Sequence, residues 1–132
     1  MCTLLQDGLC VHYMRHDKTI LEVSIEYGKL AFAKMLWLAG SEPGFVSDWD
    51  ESNMEWSDKN WPPSRRIPDE IKCATFAFIR DTVSQPRSLL DLSRITIRRE
   101  LGLGIIKKVE HLPVPDIIQN ILKISEMKEV VA

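Results

Sequence analysis

Apolar residues recur at helical spacing along four stretches of this chain, and those stretches predict its elements. In Ser88 to Ile97 (SLLDLSRITI), Leu89, Ser93 and Ile97 recur every four residues and so share one side of a helix. Ser88 with Asp91 forms its N-terminal capping pair. Thr19 to Glu42 (TILEVSIEYGKLAFAKMLWLAGSE) predicts two helices. The first opens on a Thr19 and Glu22 capping box and carries Leu21, Val23, Ser24 and Ile25 at its apolar and small positions. Gly28 falls at the turn, and Leu30, Phe32, Ala33, Met35 and Leu36 make a second amphipathic helix closed by Gly40. From Ile67 to Val83, Pro68 suits a first turn, Asp69 and Glu70 suit its positive end, and Ile71, Ala74, Phe78 and Ile79 give an apolar stripe. Helical periodicity resumes after Pro115, with Asp116 in the first turn of IIQNIL.

Between these stretches the pattern breaks. Pro43 to Arg66 sustains neither period and predicts a long loop or short turns. From Glu42 to Asp58 it holds six acidic residues and no basic one, and it carries Trp49, Trp56 and Trp61. These tryptophans have two readings: they cover the open end of the helix pair, or they line a binding loop, since long loops bearing aromatics are often functional. Gln85-Pro86-Arg87 interrupts the chain before the Ser88 helix. Leu112-Pro113-Val114-Pro115 predicts an extended element, because each proline fixes its own φ and pushes its predecessor out of the helical region. The fold class expected is all-α.

Composition narrows the function. The 132 residues suit one domain, and a net charge of −2 gives no electrostatic reason to expect nucleic acid. No apolar run is long enough to cross a bilayer, and Met1 to Asp7 lacks the pattern of a signal peptide, so no membrane is expected. Cys2, Cys10 and Cys73 are odd in number and scattered, which favours reduced thiols and a place in the cytoplasm or nucleus. Cys10, His12 and His16 hint at zinc but lack a fourth ligand, so no metal is expected. Phosphate loops, nucleophile elbows and paired metal motifs are absent, and no cofactor or catalysis is expected. Cys73 could be proposed as a catalytic thiol that carries a group as a thioester, but Ala74, Thr75 and Phe76 beside it predict a buried, inert thiol.

Two motifs carry a resemblance. Ser88, Leu89, Ser93 and Ile97 resemble the BC box, and Leu112 to Pro115 resembles the cullin box, the two halves of a SOCS box. Their order, their spacing and the basic helix between them (Arg94, Arg98, Arg99) make the pair specific, and Pro86 to Leu89 matches a familiar start of the box. Thr19 to Glu42 can be laid on one ankyrin repeat without a gap, and Leu4 to Gly8 resembles the end of a preceding one. The chain thus resembles the C-terminal end of an ankyrin repeat and SOCS box protein. Since one repeat cannot bury its faces alone, the resemblance further implies a truncated, alternatively started or partial product of a longer array.

What the resemblance implies is an adaptor that docks a protein substrate onto a ubiquitin ligase. Elongin-C, with elongin-B, would be bound by Ser88, Leu89, Leu92, Ser93 and Ile97. Cullin-5 with its RING subunit would be bound by Leu112, Pro113, Val114 and Pro115. The expected parts are a partial ankyrin region (1–42, full repeat 19–42), an acidic loop (43–66), a linking helix (67–85) and a three-helix SOCS box (86–125). Within the box, the BC box spans 88–97 and the cullin box 109–122. Two residues depart from the pattern. Ser93 replaces the usual Cys; once buried, its hydroxyl needs a partner, such as the carbonyl of Leu89. Ile121 replaces a frequent aromatic. The arginines of the basic helix are expected on a solvated or partner-facing side. Leu89 could also be an ordinary core leucine. An ankyrin-type scaffold with a degenerate box that recruits no ligase is the alternative, and a competitor that binds elongins but no substrate is a third reading.

Overall fold

The computed structural model describes residues 2–8, 14–15 and 17–131. It is mostly helical. Helix α1 (Cys2–Gln6) is followed by a minimal antiparallel hairpin, β1 (Met14–Arg15) and β2 (Lys18–Thr19), which delivers the chain into α2 (Ile20–Glu26) and α3 (Leu30–Leu38). Cys10, His12 and His16 lie outside the described residues.

The α2–α3 pair forms for the reasons visible in its sequence. Thr19 Oγ1 accepts from Glu22 N (3.2 Å), and Glu22 Oε1 accepts from Thr19 N (3.3 Å), so two donors of the first turn are satisfied reciprocally. Gly28 turns the chain at φ +73. A Cβ there would come within 2.9 Å of the Ile67 side chain, so the position requires glycine for space as well as conformation.

Residues 43–66 form an irregular loop with two 3-10 turns, Val46–Asp48 and Pro63–Arg65. Its middle is held by buried Asp58, which accepts from Ile67 N (2.8 Å) and pairs with Lys72 (3.6 Å). The loop's tryptophans each pack against another side chain, while Phe45 is exposed. Trp49 lies against the main core, Trp56 meets Phe76 edge-on at 5.7 Å, and Trp61 stands 6.0 Å from Tyr27.

Helix α4 (Asp69–Phe78) continues into a single π-helical turn, Ile79–Val83. Its inner face differs from the expected stripe. Ala74 is exposed and Thr75 is buried, its hydroxyl donating to Ile71 O (2.7 Å). Local back-bonding lets a hydroxyl take the core position. The expectation for Cys73 is corrected with it: two positions before Thr75, beside exposed Ala74, the thiol faces out and is exposed.

The rest is α5 (Leu89–Leu101), α6 (Ile105–Glu110), α7 (Asp116–Leu122) and α8 (Met127–Val131). Two apolar clusters result. The larger joins Leu21, Ile25, Leu36, Val46 and Ile79 to Ile124 and Met127, so the C-terminal segment returns to the N-terminal helices. The smaller is Ile105, Val109 and Leu122, flanked by Leu101 and Leu112. Among the described residues no helix is long and apolar enough to cross a membrane.

Candidate functional site

Helix α5 is the element on which the predicted site residues converge. Ser88 caps it, its hydroxyl accepting from Asp91 N (3.1 Å). One face is apolar and open: Leu89 is 80% exposed, Leu92 49% and Ile97 42%, with Ser93 exposed between them. In the chain alone Ser93 therefore needs no internal partner. The hydroxyl that donates back along this helix is that of Thr96, to Leu92 O (2.9 Å). Leu89 is thus no core leucine of this chain.

The opposite face overturns the expectation for the basic helix. Arg94 and Arg98 are buried; only Arg99 is exposed as expected. Arg98 donates to Leu122 O (2.5 Å), Leu5 O (2.7 Å) and Gln6 O (2.9 Å), carbonyls in the last turns of α7 and α1. Those ends carry unsatisfied acceptors and partial negative charge, which suits a cation. Burial lowers the Arg98 guanidinium to about 10, still well above neutral pH, so it remains charged. Arg94 bridges Asp91 (3.2 Å) and Glu126, while its Nε is buried without a partner among the described residues. Just before the helix, Arg87 stacks on the Trp37 ring, 3.5 Å from its centroid, and donates to Trp37 O and Ser41 O, both at 2.9 Å. Burial lowers its pKa as well. Positions 94 and 98, one turn apart, share one side of α5, and with Arg87 just ahead of the helix they fasten it to α1, α3 and the C-terminal segment.

The proline segment is a turn rather than an extended strand. Val114 N donates to Leu112 O (2.8 Å), folding the segment back, and Gln119 Nε2 reaches the carbonyls of Leu112 (3.5 Å) and Val114 (3.4 Å). Leu112 packs on the Ile105–Val109–Leu122 cluster, so it anchors the turn. Val114 is half-buried, and Pro113 and Pro115 are exposed. Pro115 stands immediately before α7, whose first turn holds Asp116 and whose Ile117 and Ile118 are exposed.

Helix α5, the proline turn and α7 together define a region with its own small core and an open apolar face. Residues 85–123 match the SOCS box. SOCS boxes are in general the elongin B/C and cullin adaptor motif of ubiquitin ligases. The family comparison assigns no ankyrin repeat to the preceding residues. No solved structure matches the chain.

The role of the arginines was missed in the sequence because charge alone reads as solvation. One signal was available: 94 and 98, one turn apart, fall on the side of the helix away from Leu89 and Ser93.

Proposed function

We propose that this chain is the substrate-recognition adaptor of an elongin B/C–cullin-5 RING ubiquitin ligase. Elongin-C docks on Ser88, Leu89, Leu92, Ser93 and Ile97, and cullin-5 on the turn Leu112, Pro113, Val114 and Pro115. The chain performs no catalysis; it positions a protein substrate, in the cytoplasm or nucleus. Residues 19–42 serve as a divergent ankyrin-type helix pair, a reading supported by the Thr19–Glu22 capping box and the left-handed Gly28 turn. The observation that carries the proposal is the division of α5. Its arginine side is consumed inside the chain, while Leu89, Leu92 and Ile97 remain open on a helix that matches the SOCS box. Such an apolar face needs a partner to leave water, at about 25 cal/mol per Å² buried.

The test is co-expression with elongins B and C, followed by size-exclusion chromatography of wild type and Leu89→Asp. Because Leu89 is exposed, the substitution changes folding stability by less than about 0.5 kcal/mol. We expect a ternary complex that the variant loses while its thermal melt is unchanged. No capture by wild type would leave a scaffold without a ligase. In the captured complex, Pro113→Ala with Pro115→Ala is expected to weaken cullin-5 binding and to leave the elongins bound. Undiminished cullin binding, measured by titration calorimetry, would remove the turn from that interface.

A further inference from the structure

A second feature lies at the edge of the matched box, where the acidic loop meets the π-helical turn. A cavity of about 410 Å³ opens there, within the size range of binding pockets. Trp49, Phe76 and Ile79 supply its apolar lining, and Asp50 and Glu51 line it as well. Arg80 also lines it, but its guanidinium is paired with Asp81 at 3.0 Å. The walls are tied together. Ser84 Oγ donates to Ser47 O (3.2 Å), holding the end of the π turn against the loop. Asp50 closes its own turn by accepting from Ser52 N (2.8 Å) and Asn53 N (3.1 Å). Those bonds, with that of the Ser52 hydroxyl, hold its carboxyl below the usual carboxylate range, so it is charged at neutral pH. Glu42, Asp48 and Glu55 add exposed negative charge along the same loop.

We propose that this cavity binds a basic peptide segment of the protein to be ubiquitinated, seating an apolar side chain between Trp49, Phe76 and Ile79 and its arginine or lysine neighbours on Asp50 and Glu51. The assignment rests on the adaptor reading above and adds a substrate class to it. Charge complementarity chooses the occupant: negative groups rim an apolar pocket, and the cation in its lining is already neutralised. Gln85, at the start of the matched box, lines the same cavity, so a bound segment would sit beside the helix proposed to hold elongin-C. A π turn in such a wall fits the frequent occurrence of these turns at functional sites.

The probe is a fluorescein-labelled Gly-Arg-Leu-Arg-Leu-Arg-Gly peptide, titrated by anisotropy against the full chain. Two comparison peptides replace every Arg by Glu, or every Leu by Gly. We expect saturable binding of the first that weakens as salt rises, and at least tenfold weaker binding of the other two. Glu51→Lys is the informative variant, since Glu51 is exposed and Asp50 is needed for the turn. It should weaken binding at least tenfold, whereas Glu129→Lys, an equal charge change on α8, should not. Absence of binding by wild type, equal binding of the Glu peptide, or indifference to Glu51→Lys overturns the proposal. Elongin capture is read separately on the same preparations. Intact capture without peptide binding sinks the groove alone; lost capture with peptide binding sinks the ligase reading alone.

Discussion

Arg98 is buried and charged because three backbone carbonyls from two helix ends converge on its fork. A lysine could not reproduce this, having a point charge and no planar array of donors. Arg98→Met would leave the carbonyls of Leu5, Gln6 and Leu122 without it, and an unsatisfied buried polar group costs about 1–3 kcal/mol. We expect a loss of about 3–5 kcal/mol in urea unfolding, with Arg98→Lys recovering less than half. A loss under 1 kcal/mol would mean that the arginine is not a structural tie. Cys73 and Ser93 teach the same lesson at single positions. Cys73 was expected to be buried from its helical neighbours and is exposed, while Ser93, expected on the elongin-facing side, is open in the chain alone; burial depends on which side of the helix the rest of the chain covers.

At the scale of elements, local chemistry and contact reinforce each other most clearly in the α2–α3 turn. The left-handed Gly28 lets the chain reverse, and its missing Cβ lets Ile67 close over the turn. Gly28→Ala would combine backbone strain of about 1–3 kcal/mol with a steric clash. We expect a lower melting temperature together with a change in fluorescence of the nearby Trp61–Tyr27 pair, whereas an unchanged melt would show that the turn relaxes freely. The α2 capping box, the Ser88 cap of α5, the Gly28 and Gly40 turns and the starts of α2, α3, α4 and α5 were legible in sequence, since they depend on residues within one turn of each other. The proline segment was not read correctly. Two prolines exclude helix, but they do not choose between an extended run and a turn. Leu112 packing on the small core and Gln119 reaching back make that choice.

For the whole molecule, the matched box is not a separate unit. Its arginines are tied to α1, α3 and the C-terminal segment, and that segment fills the core of the N-terminal helices with Ile124 and Met127. Gln6 Nε2 also donates to Ile124 O (2.9 Å). Truncation after Lys123 keeps the whole match but removes both side chains. That costs about 3–6 kcal/mol at about 1.5–3 kcal/mol each, against total stabilities of about 5–15 kcal/mol. We expect the truncated chain to lose its near-UV circular dichroism and cooperative unfolding; native-like melting would show that the box and the rest fold independently. A box held this way keeps its open face in a fixed orientation relative to the acidic loop.

The sequence by itself determined where α2, α3, α4, α5 and α7 begin, that the loop of residues 43–66 has no regular period, and that Leu89, Ser93 and Ile97 share one side of a helix. These follow from spacing and capping, which act within a few residues. Only the tertiary structure decided that this stripe stays open while Arg94 and Arg98 go inside. Helical spacing separates two sides but does not say which one the chain covers. Here the choice follows from the carbonyls at the ends of α1 and α7, almost a chain length apart in sequence, which the guanidinium of Arg98 joins.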